Sequence, residues 1–330
     1  MDKDACNRSR YVPGDTSGHY ESWFLRANHA ERPLAFWIRY TVFCPRGRPD
    51  DAVGELWAIH FDGETQRIAA AKQVVGIDAC RFSPSGLDVQ IGSARLDDRG
   101  GSGGAASGAN ALQWDLQYAG SEVPLLLLQE AFYERGFPKA KALVAAPNAR
   151  FDGVLVVNGE RIGIAGWVGS QNHNWGRKHT DSYAWGQVAG FDGAPDAFLE
   201  CSTARLKVGP FWTPPMTVVV LRLDGREIRL NSLSQALRAE GSFGFPSWRF
   251  ATRRDGVAVS ASIHAPPSAF VGLAYANPPG GIKTCLNTKL ATCELTIEEA
   301  GKPVRKLVSR HRAAFEILTD RQDHGVAVVA

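Results

Sequence analysis

Bulky apolar and polar residues alternate along much of this chain with a period of two. In 112–118, Leu112, Trp114, Leu116 and Tyr118 fall on one side of an extended backbone, and Gln113, Asp115 and Gln117 on the other. That is a strand with one wet face. In 34–43 both sides are bulky: Leu34, Phe36, Ile38, Tyr40 and Val42 alternate with Ala35, Trp37, Arg39, Thr41 and Phe43. Such a strand has apolar matter on each side, which in a closed barrel means a packed exterior and a ligand-bearing interior. Asp62-Gly63, Asn158-Gly159, Asp224-Gly225 and Asp255-Gly256 separate stretches rich in β-formers. Two-residue hairpin turns need positive φ at both central positions, which Asn, Asp and Gly adopt with the least strain. The pattern predicts an all-β protein of antiparallel hairpins closed into two barrels.

Helix is sparse. Residues 124–135 can form one, with Pro124 at its start and Gly136 and Pro138 ending it, and 232–240 can form a second, capped by Asn231 or Ser232. The run 97–110, DDRGGSGGAASGAN, reads as a mobile loop. A length of 330 residues suits two domains. The expected division is a disordered N-terminal segment at 1–18, a first barrel at 19–189 and a second at 190–330.

Charge narrows the function classes. The net charge is +3, with Lys and Arg scattered, whereas nucleic-acid binding calls for a concentrated basic stripe. Apolar runs such as 125–128 and 218–221 are far short of the ~20 residues that span a bilayer, and no signal-peptide core opens the chain. The expectation is a cytoplasmic protein without a transmembrane segment. Its six cysteines, none in C-x-x-C spacing, read as reduced, partly buried thiols.

The densest aromatic and polar stretch is GWVGSQNHNWGRKHTDSYAWGQ, holding Trp167, Trp175 and Trp185. In an extended backbone His173 and Trp175 point one way, Asn172 and Asn174 the other, and Tyr183, Trp185 and Gln187 share a face. An imidazole beside an indole suits proton transfer next to a developing cation. The same residues also serve as a barrel floor with tied-down loops. In HYESWFLRAN, Glu21 lies between aromatics on the His19, Trp23 and Leu25 face. Desolvation there raises a carboxyl pKa and makes an acid of it, whereas pairing with an arginine keeps it charged. His173 and His179, six apart, do not make a zinc pattern, and no metal is expected.

Three segments resemble a known group. They are HYESWFLRAN, then KALVAAPNARFDGVLVVNGE followed by GWVGSQNHNWG, and then YANPPGGIKTCLNTKLATCEL. Together they resemble the lipocalin-like superfamily of carotenoid 1,2-hydratases (hydroxyneurosporene synthases), AttH-like proteins and tocopherol cyclases. The resemblance implies two lipocalin-like β-barrels packed together, a deep apolar cavity and chemistry without a redox cofactor. Its enzymes protonate a double bond of an isoprenoid and let water or a phenol capture the cation, while related fungal members steer cycloadditions of polyenes. It places His173 and Trp175 on the hydratase His and Trp. The sequence-based expectation is therefore a cofactor-independent hydratase or cyclase acting on an apolar small molecule, an isoprenoid or other polyene. His173 and Glu21 would be its proton donors, with Trp175 stabilising charge. Trp23 and Trp185 would shape the cavity, and Asn172, Asn174, Tyr183 and Gln187 would orient the substrate. A pericyclase and a hydrophobic-ligand carrier are the alternatives.

Overall fold

The computed structural model describes residues 1–120 and 122–329. Two large antiparallel sheets hold most of them. The first has twelve strands: eleven in spatial order Arg67–Gly76, Val53–Asp62, Leu34–Cys44, His19–Asn28, Glu160–Gly176, Ala140–Val157, Asn110–Ala119, Gly100–Ser107 and three short strands between 80 and 97, with Leu125–Leu126 paired beside Ala140–Val157. It curls into a nearly closed barrel. Across the seam the Lys72 N–H donates to Ser107 Oγ at 3.0 Å and Asn110 Nδ2 donates to the Ala70 carbonyl at 3.1 Å. The second sheet has ten strands, in order Arg226–Leu230, Met216–Leu223, Ala194–Arg205, Ser182–Phe191, Arg305–Thr319, Ile282–Glu299, Val257–His264, Ser247–Arg254 and Glu240–Gly244. Its tenth strand, Val271–Ala276, pairs beside Ile282–Glu299. In both sheets the first strand of the half is hydrogen-bonded to its last, so the two halves repeat one topology.

The alternation is realised. Leu112, Trp114, Leu116 and Tyr118 are buried in the first barrel, and Gln113, Asp115 and Gln117 are exposed. Asn158-Gly159, Asp224-Gly225 and Asp255-Gly256 take positive φ at both residues, as their hairpins require. Asp62-Gly63 does not. The Asp62 carboxylate instead accepts the Glu64 and Thr65 amides at 2.9 and 3.0 Å, and the positive φ falls on Gln66, so this turn is longer.

Several expectations are corrected. The first sheet ends at Gly176 and the second begins at Ser182, so the boundary lies at 177–181 and strand Ser182–Phe191 straddles the expected one. The run 97–110 is not a loop but contains strand Gly100–Ser107. Its glycines admit close neighbours: a Cβ on Gly100 would stand 2.2 Å from the Leu116 carbonyl, and one on Gly103 2.4 Å from Ala94. Residues 124–135 form a two-residue strand, Leu125–Leu126, and a 3-10 turn at Glu130–Phe132, because pairing with Leu143 and Val144 outweighs local helix preference. The second helix shrinks to Leu233–Ala236.

Trp23, Phe36, Trp114, Phe151 and Trp167 pack together inside the first barrel, where the two-faced strand suggested a ligand-bearing space. The outer face of strand Leu34–Cys44 instead packs Ala35 and Trp37 against Trp185, Leu273 and Tyr275 of the second half. No helix among the described residues is long and apolar enough to cross a membrane.

Residues 1–18 are ordered where disorder was expected. Helix Lys3–Asn7, capped by Asp2, buries Cys6 and Asn7 over the inner face of the first barrel. Glu21 anchors this segment. Its carboxylate accepts from Ser9 Oγ at 3.0 Å, from the Arg10 N–H at 2.9 Å and from the Tyr11 N–H at 3.0 Å, besides His19 Nε2 at 3.1 Å.

Two predictions follow from these contacts. A Cβ at position 169 would lie 1.8 Å from the Arg26 carbonyl, whereas one at 163 meets nothing. Gly169→Ala should therefore cost about 3 kcal/mol or more of unfolding free energy, and Gly163→Ala within about 0.5, by urea denaturation. Burial pushes the Glu21 pKa up, but hydrogen bonds from His173 and His19 outweigh it and bring it from 4.5 down to about 2. The ionised form thus stabilises the fold above pH 4.5, and that contribution fades as pH falls toward 2. Glu21→Gln should lack this pH-dependent part, about 3 kcal/mol in wild type. Parallel stability curves for the two proteins between pH 5 and 2 would refute it.

Candidate active site

Strand pairing decides which side chains meet. His19–Asn28 and Glu160–Gly176 run antiparallel with Trp23 opposite His173 and Glu21 opposite Trp175. These four therefore share the inner face of the first barrel. His173 Nε2 and Glu21 Oε1 are 2.9 Å apart, so residues distant in sequence do come together. His173 Nδ1–H donates to the Cys6 carbonyl at 2.6 Å, and the Trp23 indole stacks on the imidazole at 4.7 Å between centroids. The pair is fully buried. Burial pulls the His173 pKa down while the adjacent carboxylate opposes that pull. The Trp175 face carries a cation already: the Arg10 guanidinium stands 3.7 Å from its ring centroid. Glu21 was expected to be raised by desolvation or paired with an arginine. It is instead held low by histidines and backbone amides.

The alternate residues of the same strands face the second half, across a cavity of about 250 Å³. Apolar groups dominate its walls, among them Phe24, Trp37, Leu143, Trp185, Val218 and Tyr275. Of the residues singled out from sequence, Asn172, His173, Asn174, Tyr183 and Trp185 border this space. Glu21, Trp23, Trp175 and Gln187 lie outside its lining. His173 borders it with both ring nitrogens engaged elsewhere. Gln187 sits one layer behind and links the sheets: its Oε1 accepts from Arg26 Nε at 2.7 Å and Ser170 Oγ at 2.6 Å, and its Nε2 reaches Asn172 Oδ1 at 2.7 Å.

Glu200 is the acid that sequence reasoning missed. It projects from strand Ala194–Arg205 into the cavity, 2% exposed. Oε1 accepts from the Trp185 indole N–H at 2.7 Å and Oε2 from Gln187 Nε2 at 2.8 Å. Burial pushes its pKa up to about 7, more than these two donors and the Arg26 charge pull it down. A neutral carboxylic acid thus persists here near neutral pH. Its signal was present in period two: Phe198, Glu200 and Ser202 occupy one side of a strand whose other side is Leu199, Cys201 and Thr203.

Other polar groups around the cavity are fixed. His179 stacks on Tyr20 at 4.0 Å and donates Nε2–H to the Ala276 carbonyl at 3.1 Å, and burial lowers it to about 3, so it is neutral. Burial raises the Tyr183 phenol well above its ordinary range, keeping its proton. Glu316 is paired with Lys289 Nζ at 2.8 Å and Asn287 Nδ2 at 2.9 Å. Asn174 Oδ1 has no partner among the described residues.

Comparison with known proteins rests on structure alone. No family model and no curated protein matches the sequence. Among solved structures, an AttH-like protein from Nitrosomonas europaea aligns at TM-score 0.58 and 13% identity, over 94% of this chain and 98% of that one. Kievitone hydratase from Nectria haematococca aligns at 0.59 and 12%, over 98% and 96%. CghA with Sch210972 aligns at 0.56 and 12%, over 95% and 94%. Near-complete coverage of both chains in each pair extends the likeness to both halves. The chain thus has the two-part, lipocalin-like β fold of these structures.

Proposed function

We propose that the cavity between the barrels converts an apolar polyene or prenylated small molecule by protonating a carbon–carbon double bond, with Glu200 as the acid. The observation carrying this reading is a carboxyl group held protonated to about pH 7 in a largely apolar chamber. Glu200 gives its proton to one alkene carbon, the π pair forms the new C–H bond, and the neighbouring carbon becomes a cation. Water or a hydroxyl of the substrate supplies the electron pair that quenches it, and the proton released from that oxygen returns to the Glu200 carboxylate. The product is hydrated or cyclised with no net redox change, so the step needs no redox cofactor.

The surroundings suit that chemistry. Phe24, Trp37 and Trp185 line the cavity, and aromatic faces stabilise a cation without attacking it. Trp185 and Gln187 hold both carboxyl oxygens, so the acid is aimed before substrate arrives. Within this reading His173 and Glu21 act indirectly, fixing the strand that carries Asn172 and Asn174 and the segment that covers the barrel end. The hydratase among the similar structures gives the reaction class a precedent on this fold.

The test combines a substrate-independent and a substrate-dependent readout. Carbon-13 NMR of labelled glutamate should show one carboxyl titrating near pH 7 that is absent from Glu200→Gln. Lipophilic extracts analysed by mass spectrometry before and after incubation should reveal a product whose formation falls about 10²–10⁴-fold in Glu200→Gln and declines as pH rises through 7. Equal product from both proteins with a flat pH profile would remove Glu200 and leave cavity shape as the catalyst. Recovery of unchanged ligand alone would make the protein a carrier.

A further inference from the structure

Arg39 is buried beside the cavity with nothing to bind. It lies midway along strand Leu34–Cys44, between Phe24 and Trp57 in register, and is 5% exposed. Among the described residues no carboxylate lies within ion-pair distance of its guanidinium, no hydrogen bond involves it, and its Nε is buried without a partner. Its neighbours are faces of rings, Tyr275 at 4.6 Å and Trp37 at 5.8 Å. The acids that could have served it are taken. Glu55 pairs with Lys72 at 2.8 Å and Glu316 with Lys289 at 2.8 Å. Tyr275 and Tyr183 keep their phenolic protons, since burial raises both well above the ordinary tyrosine range.

Other buried cations of this fold are satisfied. Arg26 donates to Gln187, Asn28 and backbone carbonyls, Lys289 to Asn287 and Glu316, and Lys141 to two carbonyls. An arginine cannot shed its proton to escape the cost of desolvation. Two residues earlier on the same strand face, the Trp37 indole N–H is also buried without an acceptor. Both residues line the cavity. Two unmet donors side by side, one carrying full charge, define a place for an anionic oxygen.

We infer that Arg39, with Trp37 beside it, is the receptor for an ionised carboxylate carried by the cavity's ligand. This deepens the functional reading and rests on the same cavity. A planar guanidinium presents paired N–H donors to such an acid, and the surrounding rings keep competing water away. The acid end then fixes which part of a long apolar molecule reaches Glu200. The ligand is amphiphilic: an acidic head at Arg39 and an apolar body along Phe24, Leu143 and Val218.

The experiment compares decanoate with decanol, equal in chain length and differing in the head group, by quenching of tryptophan fluorescence at pH 8. Decanoate should bind wild type at least about 10-fold more tightly than decanol. Arg39→Gln should bring the two within about 2-fold of each other, and Arg39→Lys, which keeps charge but loses the planar fork, should retain an intermediate preference. Equal affinities on wild type, no saturable decanoate binding, or an undiminished preference in a folded Arg39→Gln protein would each overturn the inference. The wild-type comparison decides even where the variants do not fold. Glu200→Gln separates this inference from the catalytic one: it should keep the decanoate preference, and a preference kept by a Glu200→Gln protein of normal turnover would sink the acid assignment alone.

Discussion

One buried amide holds the two halves in the relation everything else requires. Gln187 belongs to the second sheet, yet its oxygen is claimed by Arg26 and Ser170 of the first, and its nitrogen bridges Asn172 of the first to Glu200 of the second. An amide has both donor and acceptor ends, so it joins a guanidinium to a carboxyl without a direct ion pair. Were Arg26 to touch Glu200, the acid would ionise. With Gln187 interposed, the positive charge stays one step removed and burial sets the proton affinity. The interface therefore has a chemical as well as a mechanical role. Around Gln187 it is polar and paired, while Ala35 and Trp37 pack against Leu273 and Trp185 in an apolar contact beside it. Where they splay apart it is apolar and open.

How much of this could be read from residues depends on what alternation can and cannot encode. Period two reports that both faces of the strand around Trp37 and Tyr40 are covered. It does not report by what, and a second barrel is as good a cover as a ligand. The interior was thus assigned the chamber that lies outside it. The same ambiguity governs the site. His173 and Asn172 were correctly placed on opposite faces, but nothing local says which face meets the other half of the chain. Glu21 and Glu200 are both carboxylates in alternating strands. They differ only in the donors that tertiary structure delivers, five around one and two around the other, and this difference sends one pKa down and the other up.

The turns and breaks were legible to different degrees for physical reasons. Asn158-Gly159 and its two counterparts specify their geometry within two residues, because positive φ is a local demand. The glycine-rich run was misjudged because glycine answers two opposite needs, mobility and crowding. At Gly100 and Gly103 it is crowding: a backbone carbonyl and a neighbouring alanine leave no room for a side chain. Residues 1–18 resemble a solvated tail in composition, and buried partners in the first barrel, Glu21, His173, Gln171 and Trp23 among them, give them a place.

The pairing of each half's opening strand with its closing strand has a consequence for how the molecule is made. Ser182–Phe191 cannot meet its neighbour Arg305–Thr319 until nearly the whole chain has left the ribosome, and that late strand enters the middle of the sheet, not its edge. The second wall must wait as an unfinished surface with exposed strand borders while the first, complete once Gly176 emerges, is already available as a template. The earlier half then stands to the later one as a folding platform. Nascent chains stalled before 305 would be the aggregation-prone species that chaperones have to shield.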